Sequence, residues 1–163
     1  MNLIAADTGP LNYLIQVGCI GHLPTMFGKV AIPIGVAAEI KHPGAPEKVR
    51  DWTRQLPDWI ETRTIDTSKL RARRGLSEVD LQVLALGLEL EGPILPDDLG
   101  VRSAASEAGL KVIGTLGILE LASARKLVNL QEVLIRLKQT TIRLADRFYD
   151  EALARESLRA EDR

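Results

Sequence analysis

The chain has 163 residues and a mass of 17.9 kDa, enough for one domain that buries about two thirds of its unfolded surface and too little for a second. With 45% apolar and 26% charged residues it is neither a disordered chain nor a disulfide-stapled miniprotein. The 21 basic and 22 acidic side chains leave a net charge of -1, which excludes bulk attraction to nucleic acid or to an anionic membrane, so any anionic partner needs a local patch.

The N-terminal segment MNLIAADTGP carries no basic leader and meets an acid at Asp7. Residues 3–6 are apolar, too few for a helix, and stop at Asp7, Thr8, Gly9 and Pro10 before a helical pattern over 10–18. Cys19, the single cysteine, offers neither a disulfide nor a thiolate set for zinc and fits a reducing cytoplasm. Residues 29–32 predict a second strand, with Pro33 at the first position of a helix over 34–41. After the HPG break come a helix over 46–56, an edge strand over 59–65 and a basic connector over 69–74. Ser77 opens the longest apolar helix, to about residue 91.

A buried strand over 93–95 ends at Asp97 and Asp98, and the helix after it is stopped by Gly109. Residues 111–113 predict another strand, followed by a GTLG turn and a helix over 118–126. Residues 131–160 read as helical throughout, an appended pair. Short strands alternating with helices predict parallel strands joined by right-handed crossovers. The expected architecture is a three-layer α/β/α sandwich around a parallel sheet of four to five strands. It forms one domain over 1–163, with a core over about 1–130 and a helical extension after it. No run of about 18 uncharged apolar residues is present, so no membrane span is expected.

In open parallel sheets the chemistry lies beyond the carboxyl ends of the strands. Asp7, Glu39, Glu78 with Asp80, and Asp97 with Asp98 come from four segments aimed at that rim. Helix-start acids have an ordinary use as caps, which Asp80 has in the S-x-x-D pattern from Ser77 and Asp98 has at the helix after it. Asp7 is less well explained that way, because Gly9 stands where the cap before Pro10 belongs. Glu39 falls in a last helical turn, where the macrodipole disfavours it, and a surface pair with Lys41 is its plain alternative. Two such carboxylates about 5 Å apart repel by roughly 3 kcal/mol at an effective dielectric of 20, so convergence demands a cation. Without a His or Cys cluster, an all-oxygen site selects Mg2+ or Mn2+, and the chemistry it supports is phosphodiester hydrolysis.

In this order and spacing, IAADTGPLNYLI, IPIGVAAEI, LSEVDLQVLALGLEL and ILPDDLGVRSAASEAGLKVIGTLGIL resemble the PIN-domain family, and more narrowly PIN-like proteins akin to VapC-type toxin ribonucleases of toxin–antitoxin pairs. The resemblance implies a Mg2+- or Mn2+-dependent endoribonuclease with Asp7, Glu39, Asp80 and Asp98 catalytic, metal on Asp7, Asp80, Asp98 and Asp97, and Thr8 and Glu78 in support. Of the DD pair, Asp98 is the expected ligand. Pro96 replaces a Ser or Thr hydroxyl common in the family two residues before the last aspartate. The implied partners are RNA and an antitoxin protein, with the chain as a cytoplasmic homodimer.

Lys69, Arg71, Arg73 and Arg74 stand where RNA phosphates would pass, with a solvated connector as the plain reading. The aspartic-protease reading of DTG fails because those enzymes are all-β. A G-x-G-x-x-G or P-loop glycine pattern is absent. The rival reading is a catalytically weak or inactive PIN-like module that binds protein, supported by the low net charge, Pro96 and an amphipathic tail with Phe148, Tyr149, Leu153 and Leu158.

Overall fold

The computed structural model describes residues 3–70 and 75–162. β1 (Ile4–Ala6) is the innermost strand, with all three residues fully buried, as a short run apolar on both faces requires. Asp7 caps α1 (Thr8–Gln16), so this helix starts two residues earlier than the proline suggests. Pro10 falls in the first turn, where its missing N–H has no helical partner to lose. A 3₁₀ turn (Ile20–His22) and α2 (Leu23–Phe27) follow, both too short to leave a periodic signal. β2 (Val30–Pro33) runs directly into α3 (Ile34–Ile40), so Pro33 closes the strand and its extended backbone forms the N-cap.

α4 (Glu47–Thr53) leads to β3 (Ile60–Arg63), and Ser77 caps α5 (Glu78–Leu90) through a complete capping box. β4 (Ile94–Leu95), α6 (Leu99–Glu107), α7 (Thr115–Ala124), α8 (Leu130–Lys138) and α9 (Asp146–Glu161) complete the chain. The segment expected as a fifth strand makes a single parallel bridge, Ile94 to Val112, so the sheet has four strands and a marginal fifth position. The GTLG turn is the first turn of α7, capped by Gly114. The tail is broken between α8 and α9 instead of being helical throughout.

The sheet is wholly parallel in the order β3-β2-β1-β4. The chain builds outward from β1 to β3, then α5 carries it across β2 and β1 to place β4 on the other side of β1. The order reverses between β1 and β4, and a crevice opens beyond the carboxyl ends at such a point. With helices flanking the sheet, this is the expected α/β/α architecture.

α9 packs on α7 and α8. Tyr149 and Ala152 are buried and Leu153 packs partly against them, so most of the tail's apolar stripe braces the core of its own chain. Phe148 stays at the surface beneath the Arg147 guanidinium, and Leu158 is exposed. Position 148 lies one step around the helix from the 149, 152, 153 face. Arg155 grips Glu120 of α7 with two hydrogen bonds, of 2.7 and 3.0 Å, and Ser123 of α7 donates to Glu156.

Candidate active site

Asp7 stands at the carboxyl end of β1 and is only 8% exposed. Its Oδ1 accepts the Thr8 amide at 2.7 Å, the bond that starts α1. Burial is the main cause that pushes its carboxyl up to about 6. The Thr8 N–H opposes that shift, and the charges of Asp80, Glu39 and Asp97 add to it. Three segments distant in sequence therefore act on one carboxyl.

Each contributing acid is held by a neighbour. Glu39, exposed in the last turn of α3, accepts the Thr8 hydroxyl at 2.5 Å through Oε2, and among the described residues it makes no pair with Lys41. Thr8 thus ties the start of α1 to the end of α3. Asp80 accepts the Ser77 amide at 2.8 Å and its own amide donates to the Ser77 hydroxyl at 3.1 Å. Its other oxygen takes no hydrogen bond among the described residues, so Asp80 both caps α5 and faces the crevice charge. Glu78 is exposed and accepts the Thr67 hydroxyl at 2.7 Å, which fastens the segment before α5, and it is not among the charges acting on Asp7.

The DD pair divides its work. Asp97 is bound by Thr115, whose amide donates to Oδ1 at 2.8 Å and whose hydroxyl donates to Oδ2 at 2.6 Å. Asp97 also lies against Gly9, where an added Cβ would stand 3.4 Å from its Oδ2. Asp98 is exposed and caps α6, accepting the Val101 amide at 3.1 Å, and it is not among the charges acting on Asp7. The orienting hydroxyl that Pro96 cannot supply reaches Asp97 from Thr115.

Two residues of this site escaped the sequence reading. Thr115 lay in what reads as a turn; its signal is the GT start of a helix that has no side-chain cap of its own. Arg102 lies on α6, one turn beyond Asp98. A Cβ at Gly114 would come 2.3 Å from Arg102 Nη1 and 3.1 Å from Asp97 Oδ1, so only glycine lets this guanidinium lie across the backbone beside Asp97. Among the described residues it has no ion-pair partner.

Lys69 is exposed on the connector, and Arg71, Arg73 and Arg74 lie outside the described residues. The acids supply only oxygen donors, the set that suits Mg2+ or Mn2+. Among the described residues no group of three His, Cys, Asp or Glu side chains is arranged to hold a metal ion. An ion that keeps most of its waters and shares substrate phosphate requires no such closed cage, so the residues fit a hydrated hard cation. No described helix is long and apolar enough to cross a membrane.

A sequence model of a family described as a PIN domain matches residues 3–157, nearly the whole chain. No curated protein matches it significantly.

Proposed function

Since the chain belongs to the PIN-domain family, in which the fold generally implies metal-dependent nuclease activity, we propose that it is an endoribonuclease with its site at the β1–β4 crevice. The observation that carries this reading is Asp7, a buried carboxyl whose charge is opposed by acids from three other segments. Asp7, Asp80 and Asp97 would hold a hydrated Mg2+ or Mn2+, with Glu39 at its edge. Such an ion, when bound, makes water a stronger nucleophile and stabilises the leaving oxygen.

The side chains do the rest. Asp97, fixed at both oxygens by Thr115, gives a rigid anionic wall on the β4 side. Glu39, held by Thr8, would take the proton from the attacking water. Arg102, beside Asp97 and without an ion pair among the described residues, would offer a cation to the phosphate, and Lys69 with Arg71, Arg73 and Arg74 would hold the RNA backbone. Asp98 is assigned to the helix cap, and the liganding role passes to Asp97.

The finer reading is a toxin of a toxin–antitoxin pair, active as a cytoplasmic homodimer and silenced by a protein. The test is cleavage of single-stranded and structured RNA by purified protein in Mg2+ or Mn2+. Cleavage that EDTA stops and Asp7→Asn abolishes supports hydrolysis. Intact RNA with both metals would return the chain to the protein-binding module.

A further inference from the structure

Beside the acids, on the Glu39 side, a groove of about 250 Å³ runs between the first turns of α1 and the segment after α3. It is lined by Thr8, Asn12, Glu39 and His42 as polar groups and is apolar at Ile40 and Val49. The two polar groups away from the acids are each fixed in one sense. The Oδ1 of Asn12 accepts the Gln16 side-chain amide at 3.1 Å, which leaves the Asn12 NH2 as a donor. The Nδ1 of His42 accepts the Gly44 amide at 2.9 Å, so the neutral imidazole carries its proton on Nε2. Among the described residues that Nε2 takes no other bond.

We propose that this groove is a nucleobase subsite, which seats one unstacked base of the RNA next to the cleaved phosphate. The proposal rests on the hydrolase reading for its substrate. The chemistry of the groove selects the ligand: an apolar lining accepts a flat ring, and the two donors set away from the acids select an edge rich in acceptors. Cytosine presents N3 beside O2, and guanine presents N7 beside O6. Adenine sets its amino donor beside each acceptor of that edge and is disfavoured. Thr8 links the two regions, because it lines the groove and fixes Glu39. A base held here places the phosphate that follows it near the carboxylates.

The test is titration of the full chain with the four nucleoside 3′-monophosphates, none of which has an internucleotide bond to cleave. NMR follows the Asn12 side-chain amide and the His42 ring. Saturable shifts at both are expected, with CMP and GMP bound at least five-fold more tightly than AMP. Asn12→Ala and His42→Ala, both at solvent-accessible positions, should each weaken CMP at least five-fold while the folded spectrum is kept. Equal affinity for all four nucleotides, no shift at these residues, or unchanged affinity in both variants overturns the subsite. RNA cleavage by the wild type is scored separately. Cleavage without nucleotide binding in the groove removes the subsite alone, and CMP bound at Asn12 and His42 without RNA cleavage removes the hydrolysis reading alone.

Discussion

Thr115 binds both oxygens of Asp97 across eighteen residues of chain, its amide on one and its hydroxyl on the other. The same pair does two things at once: the carboxylate caps the otherwise uncapped start of α7, and α7 fixes the carboxylate's rotation. Thr115→Val keeps the volume and the amide but loses the hydroxyl. It is expected to lower stability by about 2 kcal/mol, the range for a hydrogen bond to a charged group, and RNA cleavage at least ten-fold. Thr115→Ser should restore most of both, read by urea unfolding and by initial rates. Full activity in the valine variant would remove Thr115 from the site.

Asp97 and Asp98 separate cleanly by substitution. Asp98→Ala should cost about 1 kcal/mol through the lost α6 cap and leave cleavage within a few-fold of wild type. Asp97→Asn should abolish cleavage. The opposite pattern would give the liganding role back to Asp98.

The raised Asp7 carboxyl makes stability depend on pH in a definite direction. Between its ordinary value of 3.8 and about 6, the folded state binds the proton more tightly than the unfolded chain does. Stability contributed by the protonated carboxyl is therefore fully present below pH 3.8 and is lost as pH rises through about 6, reaching a loss of about 3 kcal/mol. Asp7→Asn carries no charge to bury, so above pH 7 it should be more stable than the wild type, and at pH 4 the gain should vanish. Urea midpoints across pH 4 to 8 test this. An advantage independent of pH would mean that Asp7 ionises freely.

Divalent metal should reverse that cost. At about a hundred-fold excess over Kd, Mg2+ or Mn2+ is expected to stabilise the wild type by about 2.7 kcal/mol, and Asp7→Asn should lose most of the effect. Calorimetry with and without metal measures it. Equal stabilisation of both proteins would place the ion elsewhere.

Much of this arrangement was legible before the structure. The strand–turn–acid punctuation at Asp7 and at Asp97–Asp98 located the rim, because parallel sheets leave their loops at the carboxyl ends. Glu39 stood out since local electrostatics disfavours an acid in a last turn, and its Thr8 bond supplies the missing reason. What sequence could not give was the choice within the DD pair. Both aspartates precede a helix, and only the return of the chain at Thr115, after α6, decides which one is held. Arg102 was hidden for the same reason, since its place depends on the bare backbone at Gly114.

Tyr149 tests the role of the tail. With its ring buried against the core and the Lys138 ammonium 4.7 Å from the ring centroid, Tyr149→Ala should cost about 3 to 5 kcal/mol. Light scattering should give the same assembly mass for the variant as for the wild type. A change from dimer to monomer would put α9 in an interface.

The two edges of the sheet constrain how copies of this chain can meet. At one edge, β4 is two residues long and is followed sideways only by the Val112 bridge. At the other, β3 carries Glu61 and Arg63, locked to each other at 2.5 Å. Short and charged edges discourage a visiting strand from extending the ladder. Association by a shared sheet, and the fibrous growth that follows from it, is thereby disfavoured, which leaves helical faces and loops as the surfaces better suited to meeting another chain.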